Sequence, residues 1–287
     1  MPQTIDPATL FVSTQWLSEN LASPNILLFD ASWHMPATGR DPRAEYEAGH
    51  IPGAVFFDID AVADQSTGLP HMLPSPEAFA EEMRRVSFGD GMHAIIYDSV
   101  GLFSAPRLWW TMKVFGVEKV SILAGGLPAW KAEGRPLGKG EFAREPRPFT
   151  PKFDPALVAD WKKVNAALES GAPQVVDARS AERFMGRAAE PRPGLRSGHM
   201  PGAYSLPFQS VIEGGKMKDK AGLDAAFAEA GLDPAKPTIA SCGSGMTACI
   251  LSLAFAAAGH PISAVYDGSW SEWDEKGRGD HQAFQAR

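Results

Sequence analysis

Cys242 is the residue whose surroundings most favour chemistry. It is followed by Gly243-Ser244-Gly245-Met246-Thr247, a loop of small residues that leads into the long apolar segment 248–258. Glycines allow successive backbone N–H groups to converge on one point, and the N-terminus of a following helix adds partial positive charge there. We therefore expect Cys242 to react as a thiolate. The loop residues expected to bind substrate are Gly243, Gly245, Met246 and Thr247.

The other cysteine, Cys249, lies inside the apolar segment with no turn residues beside it, which is typical of a core cysteine. The chain has only these two thiols, and their number and spacing exclude a disulfide framework, a zinc knuckle and a CxxC redox pair. The histidines and cysteines are not distributed as a metal-ligand cluster. We expect a reduced protein that needs no metal and no organic cofactor.

Two main chemistries use a cysteine between a strand and a helix N-terminus. A phosphatase of the C-x5-R type needs an arginine six residues after the cysteine to clamp phosphate with its planar fork. That position is Ala248, and neither arginine nor lysine occurs between Cys242 and Gly259. Phosphoryl transfer is therefore nearly excluded. The remaining chemistry is acceptance of a neutral or weakly charged sulfur, which the cysteine holds as a persulfide.

The elements that must position this loop occur twice, because the chain is a tandem duplication. The hexapeptide Gly-His-Ile-Pro-Gly-Ala at 49–54 returns as Gly-His-Met-Pro-Gly-Ala at 198–203. Three further matches follow in the same order: 28–31 with 175–178, Gly116 with Gly259, and 125–130 with 268–273. Features shared by both halves are expected to serve the fold, whereas features of one half alone are candidates for chemistry.

This comparison separates structural residues from chemical ones. The histidines of the repeated hexapeptide, His50 and His199, are predicted to be structural because both halves carry them. Asp98 of the first half occupies the position of Cys242, so only the second half has a nucleophile. Arg107 follows this first-half loop, and we expect it to form a local ion pair with Asp98.

Each half alternates short apolar runs with helical patterns, which predicts an α/β fold with parallel sheets flanked by helices. The predicted strands, rich in β-branched residues, are 94–98, 120–124, 174–178, 238–242 and 262–266. The predicted helices between them, each closed by a glycine, are 105–115 and 246–258.

The duplication also predicts the domain organisation. An N-terminal domain at 1–138 carries Asp98 in place of the catalytic cysteine, and a C-terminal catalytic domain occupies 155–287. The stretch between them, 139–154, is rich in proline and has no clear period, which is typical of a linker.

Composition narrows the range of partners. The chain has 27 basic and 34 acidic residues and a formal net charge of −7, which argues against a nucleic-acid or anionic-membrane binder. The apolar segment 248–258 is too short to span a bilayer, and the N-terminus shows no basic region followed by an apolar core. We therefore expect a cytoplasmic protein with no nucleic-acid and no membrane partner.

From the segment 15–17 to the segment 267–273, these residues resemble those of the tandem-domain rhodanese family of sulfurtransferases. The most specific element is Cys-Gly-Ser-Gly-Met-Thr-Ala at 242–248, where the family usually has valine in place of Met246. Members that use thiosulfate typically carry a basic Cys-Arg-Lys-Gly loop, which suits a dianionic donor. The uncharged loop of this chain favours the branch that uses 3-mercaptopyruvate.

The resemblance implies two arginines that bind the carboxylate of the sulfur donor. They match Arg183 and Arg192 of the second half. The physical reasoning agrees, because a 2-oxo acid is anionic and arginine offers a planar fork that matches a carboxylate. Arg179 and Arg187 are neighbouring alternatives.

The resemblance also implies that polar first-half residues lie against the catalytic loop. They match Asp60 and His71, and together with Ser244 they form a relay in which a carboxylate orients a base that contacts a hydroxyl. The second half has Gln209 where Asp60 stands, so this feature belongs to one half only. The alternative is a structural histidine that caps a loop.

These observations predict an enzyme. A sulfurtransferase would move sulfur from 3-mercaptopyruvate through a persulfide on Cys242 to cyanide, a small thiol or reduced thioredoxin, and would release pyruvate. The first alternative is a thiosulfate:cyanide sulfurtransferase with the same fold and nucleophile. The second is a non-enzymatic carrier module that receives persulfide sulfur from a partner protein.

Overall fold

The computed structural model describes residues 5–140 and 145–276, and its first half contains a five-stranded sheet. The strands of this half are β1 (Phe11–Val12), β2 (Ile26–Asp30), β3 (Ala54–Phe56), β4 (His93–Tyr97) and β5 (Val120–Leu123). The helices are α1 (Thr14–Asn20), α2 (Pro42–Ala48), α3 (Ile59–Val62), α4 (Pro76–Arg85), α5 (Ala105–Val114) and α6 (Gly126–Ala132). The two strands and the helix predicted for this half are confirmed, with ends that differ by no more than one residue.

The second half repeats this arrangement. Its strands are β6 (Val158–Ala159), β7 (Gln174–Asp177), β8 (Tyr204–Ser205), β9 (Ile212–Glu213), β10 (Lys216–Met217), β11 (Thr238–Ser241) and β12 (Ala264–Tyr266). Its helices are α7 (Trp161–Ser170), α8 (Ala181–Phe184), α9 (Lys220–Glu229), α10 (Ala248–Ala257) and α11 (Ser269–Lys276). Helix α10 begins two residues later than predicted, because Met246 and Thr247 belong to the loop before it.

The two five-stranded sheets share one topology. Their strand orders are β1-β5-β4-β2-β3 and β6-β12-β11-β7-β8, and every pairing within them is parallel. In a parallel sheet the carboxyl ends of all strands lie at one edge, where ligands usually bind. Asp98 directly follows the central strand β4, and Cys242 directly follows the central strand β11. The duplication therefore places these two residues at equivalent points.

Helices α5 and α10 join the two halves. All ten residues of α5 are buried, as are nine of the ten residues of α10, and the two helices pack against each other. A helix that is covered on every side needs neighbours all round, and one continuous hydrophobic cluster here draws residues from both halves. Among the described residues, no helix is long and apolar enough to cross a membrane.

The repeated hexapeptides pack alike in both halves. His50 stacks on Tyr46 with ring centroids 4.0 Å apart, and His199 stacks on Phe184 at the same distance. The Nδ1 atom of each histidine contacts the backbone carbonyl oxygen of its stacking partner, at 2.8 and 2.9 Å. These contacts hold the chain at the same turn in each half, as expected of structural histidines.

The described part of the predicted linker lies against the first half. The N–H groups of Lys152 and Asp154 donate to the carbonyl oxygens of Phe115 and Val114 at 2.9 and 2.7 Å, at the end of α5. Residues 141–144 of the predicted linker lie outside the described residues, as do the segments 1–4 and 277–287 of the predicted domains. We retain the boundaries 1–138 and 155–287 as a proposal.

Candidate active site

The loop 243–247 carries the chain from Cys242 into α10. Cys242 is buried, with 2% of its surface exposed. Gly245 has a φ of +77°, and a Cβ at this position would lie 2.7 Å from the backbone oxygen of Asp267, so only glycine fits this turn. The Met246 side chain packs into the core, and Thr247 is the last residue before the helix.

Ser269, the first residue of α11, supports this loop from behind. Its hydroxyl oxygen accepts the N–H groups of Cys242 and Gly245 at 3.1 and 3.0 Å, and its O–H donates to the carbonyl oxygen of Tyr266 at 2.7 Å. Two of the loop's donors are therefore satisfied by one side chain.

The backbone of Ser269 adopts a φ of +49°, which serine rarely does. The equivalent residue of the first half is Gly126, with a φ of +55°. The fold thus requires a left-handed residue at this point, and the second half carries serine there in spite of the strain. Ser269 was not among the predicted site residues, although the repeat of 125–130 at 268–273 contains the signal.

The matching loop of the first half shows which charge such a loop accommodates. The carboxylate of Asp98 accepts five backbone N–H bonds of 2.7–3.0 Å, from Val100, Gly101, Phe103, Ser104 and Ala105. Amides that converge in this way at a helix N-terminus form a site for negative charge. The corresponding loop of the second half begins at a thiol in place of a carboxylate.

The prediction that Arg107 pairs with Asp98 is wrong. The Nη1 group of Arg107 donates instead to Asp267 Oδ1 of the second half, at 2.6 Å. The oxygens of Asp98 are already occupied by the amides of their own loop, so the guanidinium finds its partner across the interface. Asp267 was not predicted as a site residue, but the first half has Ala124 at this position, so a comparison of the halves could have found it.

Arg183 lies beside the catalytic loop. A Cβ at Gly243 would be 2.9 Å from Arg183 Nη2, so the guanidinium packs directly against this glycine. Glu190 accepts hydrogen bonds from Arg183 Nε at 3.1 Å and from Arg183 Nη2 at 2.5 Å. Since the side chain of Glu190 is buried, it fixes the orientation of the arginine that faces the loop.

The two alternative arginines have other surroundings. Arg179 is buried, and it donates to Asp177 at 2.7 Å and to Glu190 at 2.8 Å. Its charge is therefore already neutralised inside the second half. Arg187 is exposed and lies 3.7 Å from Glu182 on the surface. Neither arrangement places a guanidinium against Gly243 as that of Arg183 does.

Arg192 lies between Ser244 and His71. Its Nη1 group donates to Ser244 Oγ at 3.0 Å, and its Nη2 group donates to His71 Nε2 at 3.0 Å. The Nδ1–H of His71 then donates to Asp60 Oδ1 at 2.5 Å, and Trp33 Nε1–H donates to Asp60 Oδ2 at 2.7 Å. The structure thus brings the predicted residues together across the two halves, but Ser244 and His71 are bridged by Arg192.

A model of the rhodanese-like domain matches residues 13–133 and 160–276. The chain belongs to the rhodanese family. Each matched stretch contains four of the five strands of one of the two equivalent sheets, so the predicted α/β fold with two tandem rhodanese-like domains is confirmed.

This rhodanese is similar to known sulfurtransferases. It is 45% identical over 266 residues to the 3-mercaptopyruvate sulfurtransferase of Escherichia coli (strain K12), a match that covers 92% of this chain and 95% of that protein. It is 40% identical over 270 residues to the thiosulfate sulfurtransferase of Cricetulus griseus, with 91% of each chain covered. The crystal structure of SseA from Escherichia coli, described among 3-mercaptopyruvate sulfotransferases, matches with a TM-score of 0.85 and 43% identity over 91% of this chain and 99% of that one. The predicted resemblance to 3-mercaptopyruvate sulfurtransferases is confirmed.

Burial and charge set the protonation of this rhodanese site. Burial lowers the pKa of His71 below its ordinary value of 6.5, and the charges of Arg107 and Arg192 add to this effect against the opposing influence of Asp60. Burial alone would raise the pKa of Asp60, but the hydrogen bonds from His71 and Trp33 and the charge of Arg192 lower it. At neutral pH the site therefore holds a carboxylate beside a neutral imidazole.

The rhodanese site as a whole favours negative charge near sulfur. It combines one thiol, a loop of backbone amides and the guanidinium groups of Arg183 and Arg192. Such groups bind a carboxylate and stabilise charge that develops on a reacting atom. Within residues 5–140 and 145–276, no three His, Cys, Asp or Glu side chains are grouped to hold a metal ion.

Proposed function

We propose that this rhodanese transfers sulfur from 3-mercaptopyruvate through a persulfide on Cys242 to a thiophilic acceptor and releases pyruvate. The observation that carries the proposal is the location of the buried thiol at the start of an uncharged loop, with a guanidinium packed against Gly243 and another on Ser244. An anionic donor can then bind through its carboxylate while its sulfur faces the thiol.

In the first step the Cys242 thiolate attacks the donor sulfur. A sulfur–sulfur bond forms and the carbon–sulfur bond breaks, so the electron pair of the broken bond passes into the enolate of pyruvate. The enolate takes up a proton on carbon to give pyruvate. The N–H groups of the loop 243–247 other than that of Gly245, which donates to Ser269, stabilise negative charge on the sulfur atoms during the exchange.

Arg183 and Arg192 hold the carboxylate and keto oxygens of the donor. Arg192 contacts Ser244 and His71, so a bound carboxylate competes with both groups for its guanidinium. The unprotonated Nε2 of His71 then accepts the proton of the donor's thiol group, while the O–H of Ser244 donates its proton to the enolate and is restored from His71. Asp60 keeps the imidazole oriented through the bond to its Nδ1–H.

In the second step an acceptor thiolate or cyanide attacks the outer sulfur and regenerates Cys242. We propose cyanide, small thiols and reduced thioredoxin as acceptors, and a cytoplasmic location, on the grounds given by the sequence. The reaction as written needs no metal and no organic cofactor, because the attacking thiolate supplies the electron pair of the new sulfur–sulfur bond and the enolate of pyruvate takes away that of the broken carbon–sulfur bond.

The deciding experiment compares two donors. We expect kcat/KM for 3-mercaptopyruvate to exceed that for thiosulfate by about tenfold or more, which corresponds to about 1.4 kcal/mol of transition-state stabilisation. The uncharged loop suits the monoanionic donor better than a dianion. The assay measures pyruvate and thiocyanate with each donor.

The similarity to the thiosulfate sulfurtransferase of Cricetulus griseus favours a second candidate, a thiosulfate:cyanide sulfurtransferase. A strong preference for thiosulfate would replace our assignment with this one. Intact mass after incubation with 3-mercaptopyruvate alone tests the carrier alternative. If Cys242 gains no sulfur atom and no pyruvate appears, the protein is no enzyme for this donor.

The proposed proton path predicts that the acid limb of the pH profile of kcat for pyruvate release lies below pH 6.5. Since the pKa of His71 is lowered from 6.5, the neutral imidazole persists to more acidic pH than it does in a free side chain. Asp60→Asn removes a charge that raises this pKa and is expected to move the limb further toward acid. The measurement is kcat against pH between about 5 and 8.

Two results would contradict this prediction: a wild-type limb above pH 6.5, or a limb that moves toward alkaline pH in Asp60→Asn. The same shift has a consequence for stability. Between pH 6.5 and the lower pKa of folded His71, only the unfolded chain binds the proton. The free energy of unfolding is therefore expected to decrease as the pH falls through this range.

A further inference from the structure

Arg107 is a buried cation of the first domain that contacts the catalytic loop of the second. It lies on α5, and 2% of its surface is exposed. Its Nη1 group donates to Asp267 Oδ1 at 2.6 Å and to the carbonyl oxygen of Gly245 at 3.3 Å, and its Nη2 group donates to the carbonyl oxygen of His71. One guanidinium therefore joins three segments of the site.

The partner of Arg107 extends this connection. Asp267 Oδ2 accepts the N–H of Leu73 at 2.6 Å, while Oδ1 accepts from the guanidinium. The ion pair thus contacts the segment 71–73 from both sides, once at a carbonyl oxygen and once at an amide. That segment carries the imidazole of the proposed proton path.

The contact at Gly245 is the closest approach to the loop. A Cβ at this glycine would lie 2.8 Å from Arg107 Nη1, so the guanidinium packs against the left-handed turn that directs the loop amides. The other face of the guanidinium packs on the ring of Trp110, 4.7 Å from the ring centroid. Arg107 is therefore packed between Gly245 and Trp110 and is buried.

We propose that Arg107 is a positioning residue for sulfur transfer. It fixes the position of the loop at Gly245 relative to the segment that carries His71. This inference rests on the proposed function, because it concerns the geometry in which Cys242 accepts sulfur. It gives the first domain, which lacks a nucleophile, a second part in the reaction beside that of Asp60 and His71. A planar guanidinium fits this arrangement because the acceptors are divided between its two Nη atoms, whereas the three donors of lysine lie on a single nitrogen.

The test must separate positioning from stability. Removing one member of a buried ion pair leaves an uncompensated charge and destabilises a protein, whereas replacing both members with apolar residues is often neutral or stabilising. The double variant Arg107→Met/Asp267→Leu therefore keeps a filled interface and removes the polar connections. Persulfide formation from 3-mercaptopyruvate is followed by rapid quench and intact mass, together with kcat, KM and the thermal midpoint.

We expect the double variant to fold with a lower thermal midpoint, because the N–H of Leu73 loses its acceptor. Its KM for the donor should stay unchanged while kcat falls by about 10- to 100-fold, the size of effect that a small misplacement of reacting groups produces. The matched control is Arg196→Met/Asp274→Leu, which replaces another ion pair of the second domain, at 2.5 Å. This control is expected to retain the wild-type kcat.

A wild-type kcat in a folded double variant would overturn the inference. If the double variant does not fold, Arg107→Lys decides, because it keeps the charge and loses the planar fork. A reduced kcat at unchanged KM supports positioning, and a wild-type kcat overturns it. If the wild-type protein itself gains no sulfur from the donor, the proposed function fails and this inference fails with it, which is a different result from failure of the variant alone.

Discussion

Replacing Cys242 with serine is expected to lower the rate of sulfur transfer by about 10⁴-fold or more, as removal of a catalytic nucleophile does. A serine hydroxyl cannot form a persulfide, so the loop amides would have no sulfur to stabilise. The measurement is pyruvate release from 3-mercaptopyruvate at saturating donor. Intact mass of the variant after incubation with the donor should show no added sulfur.

Cys249 provides the matched control for this substitution. Its thiol is fully buried and donates to the carbonyl oxygen of Gly245 at 3.2 Å, and burial raises its pKa to about 12. Cys249→Ser keeps a hydrogen-bond donor and is expected to lose only packing, with kcat unchanged and a lower thermal midpoint. Equal losses of activity in both variants, or persulfide on Cys249, would contradict the assignment of Cys242.

Replacing Arg183 with alanine is expected to lower kcat/KM for 3-mercaptopyruvate by about 10- to 100-fold, mainly through KM. Hydrogen bonds to a charged partner contribute about 1.5–3 kcal/mol, and the donor's carboxylate would lose one planar fork. Arg183→Lys should recover part of this loss, because it restores the charge but not the fork. Steady-state kinetics with 3-mercaptopyruvate measure both effects.

The control for Arg183 is Arg187→Ala, four residues further along the chain. Arg187 is exposed and its pairing with Glu182 at 3.7 Å lies on the surface, so its removal is expected to leave the kinetics unchanged. Glu190 retains Arg179 as a partner in Arg183→Ala, so the buried carboxylate does not become unpaired. An unchanged KM in Arg183→Ala would show that the carboxylate binds elsewhere.

Local patterns were enough to predict the secondary structure that carries the site. The strands that precede Asp98 and Cys242 are short β-branched runs, and a glycine closes each following helix, so their signals do not depend on distant residues. The predicted start of α10 was wrong by two residues. Met246 continues the apolar pattern of the helix toward the N-terminus, but the backbone of Met246 and Thr247 completes the loop.

Contacts between the halves could not be predicted from local patterns. The ion pair of Arg107 joins residues 160 positions apart in the chain, and Ser269 acts on the loop from a different element. For Arg107 the repeat suggested the wrong partner, because Asp98 is the nearest acidic residue in the sequence. The structure shows that the amides of its own loop already saturate the carboxylate of Asp98.

Because Asp98 is a permanent negative group, the two domains behave differently during the proposed cycle. In the proposed cycle the second domain alternates between an empty and a sulfur-loaded loop, whereas the first-domain loop holds a negative group that is part of the chain. No donor can load it and no acceptor can unload it. One domain is therefore permanently occupied, and any stabilisation that accompanies sulfur loading must arise in the other. The first domain therefore stays the same throughout the proposed cycle, and only the second domain changes.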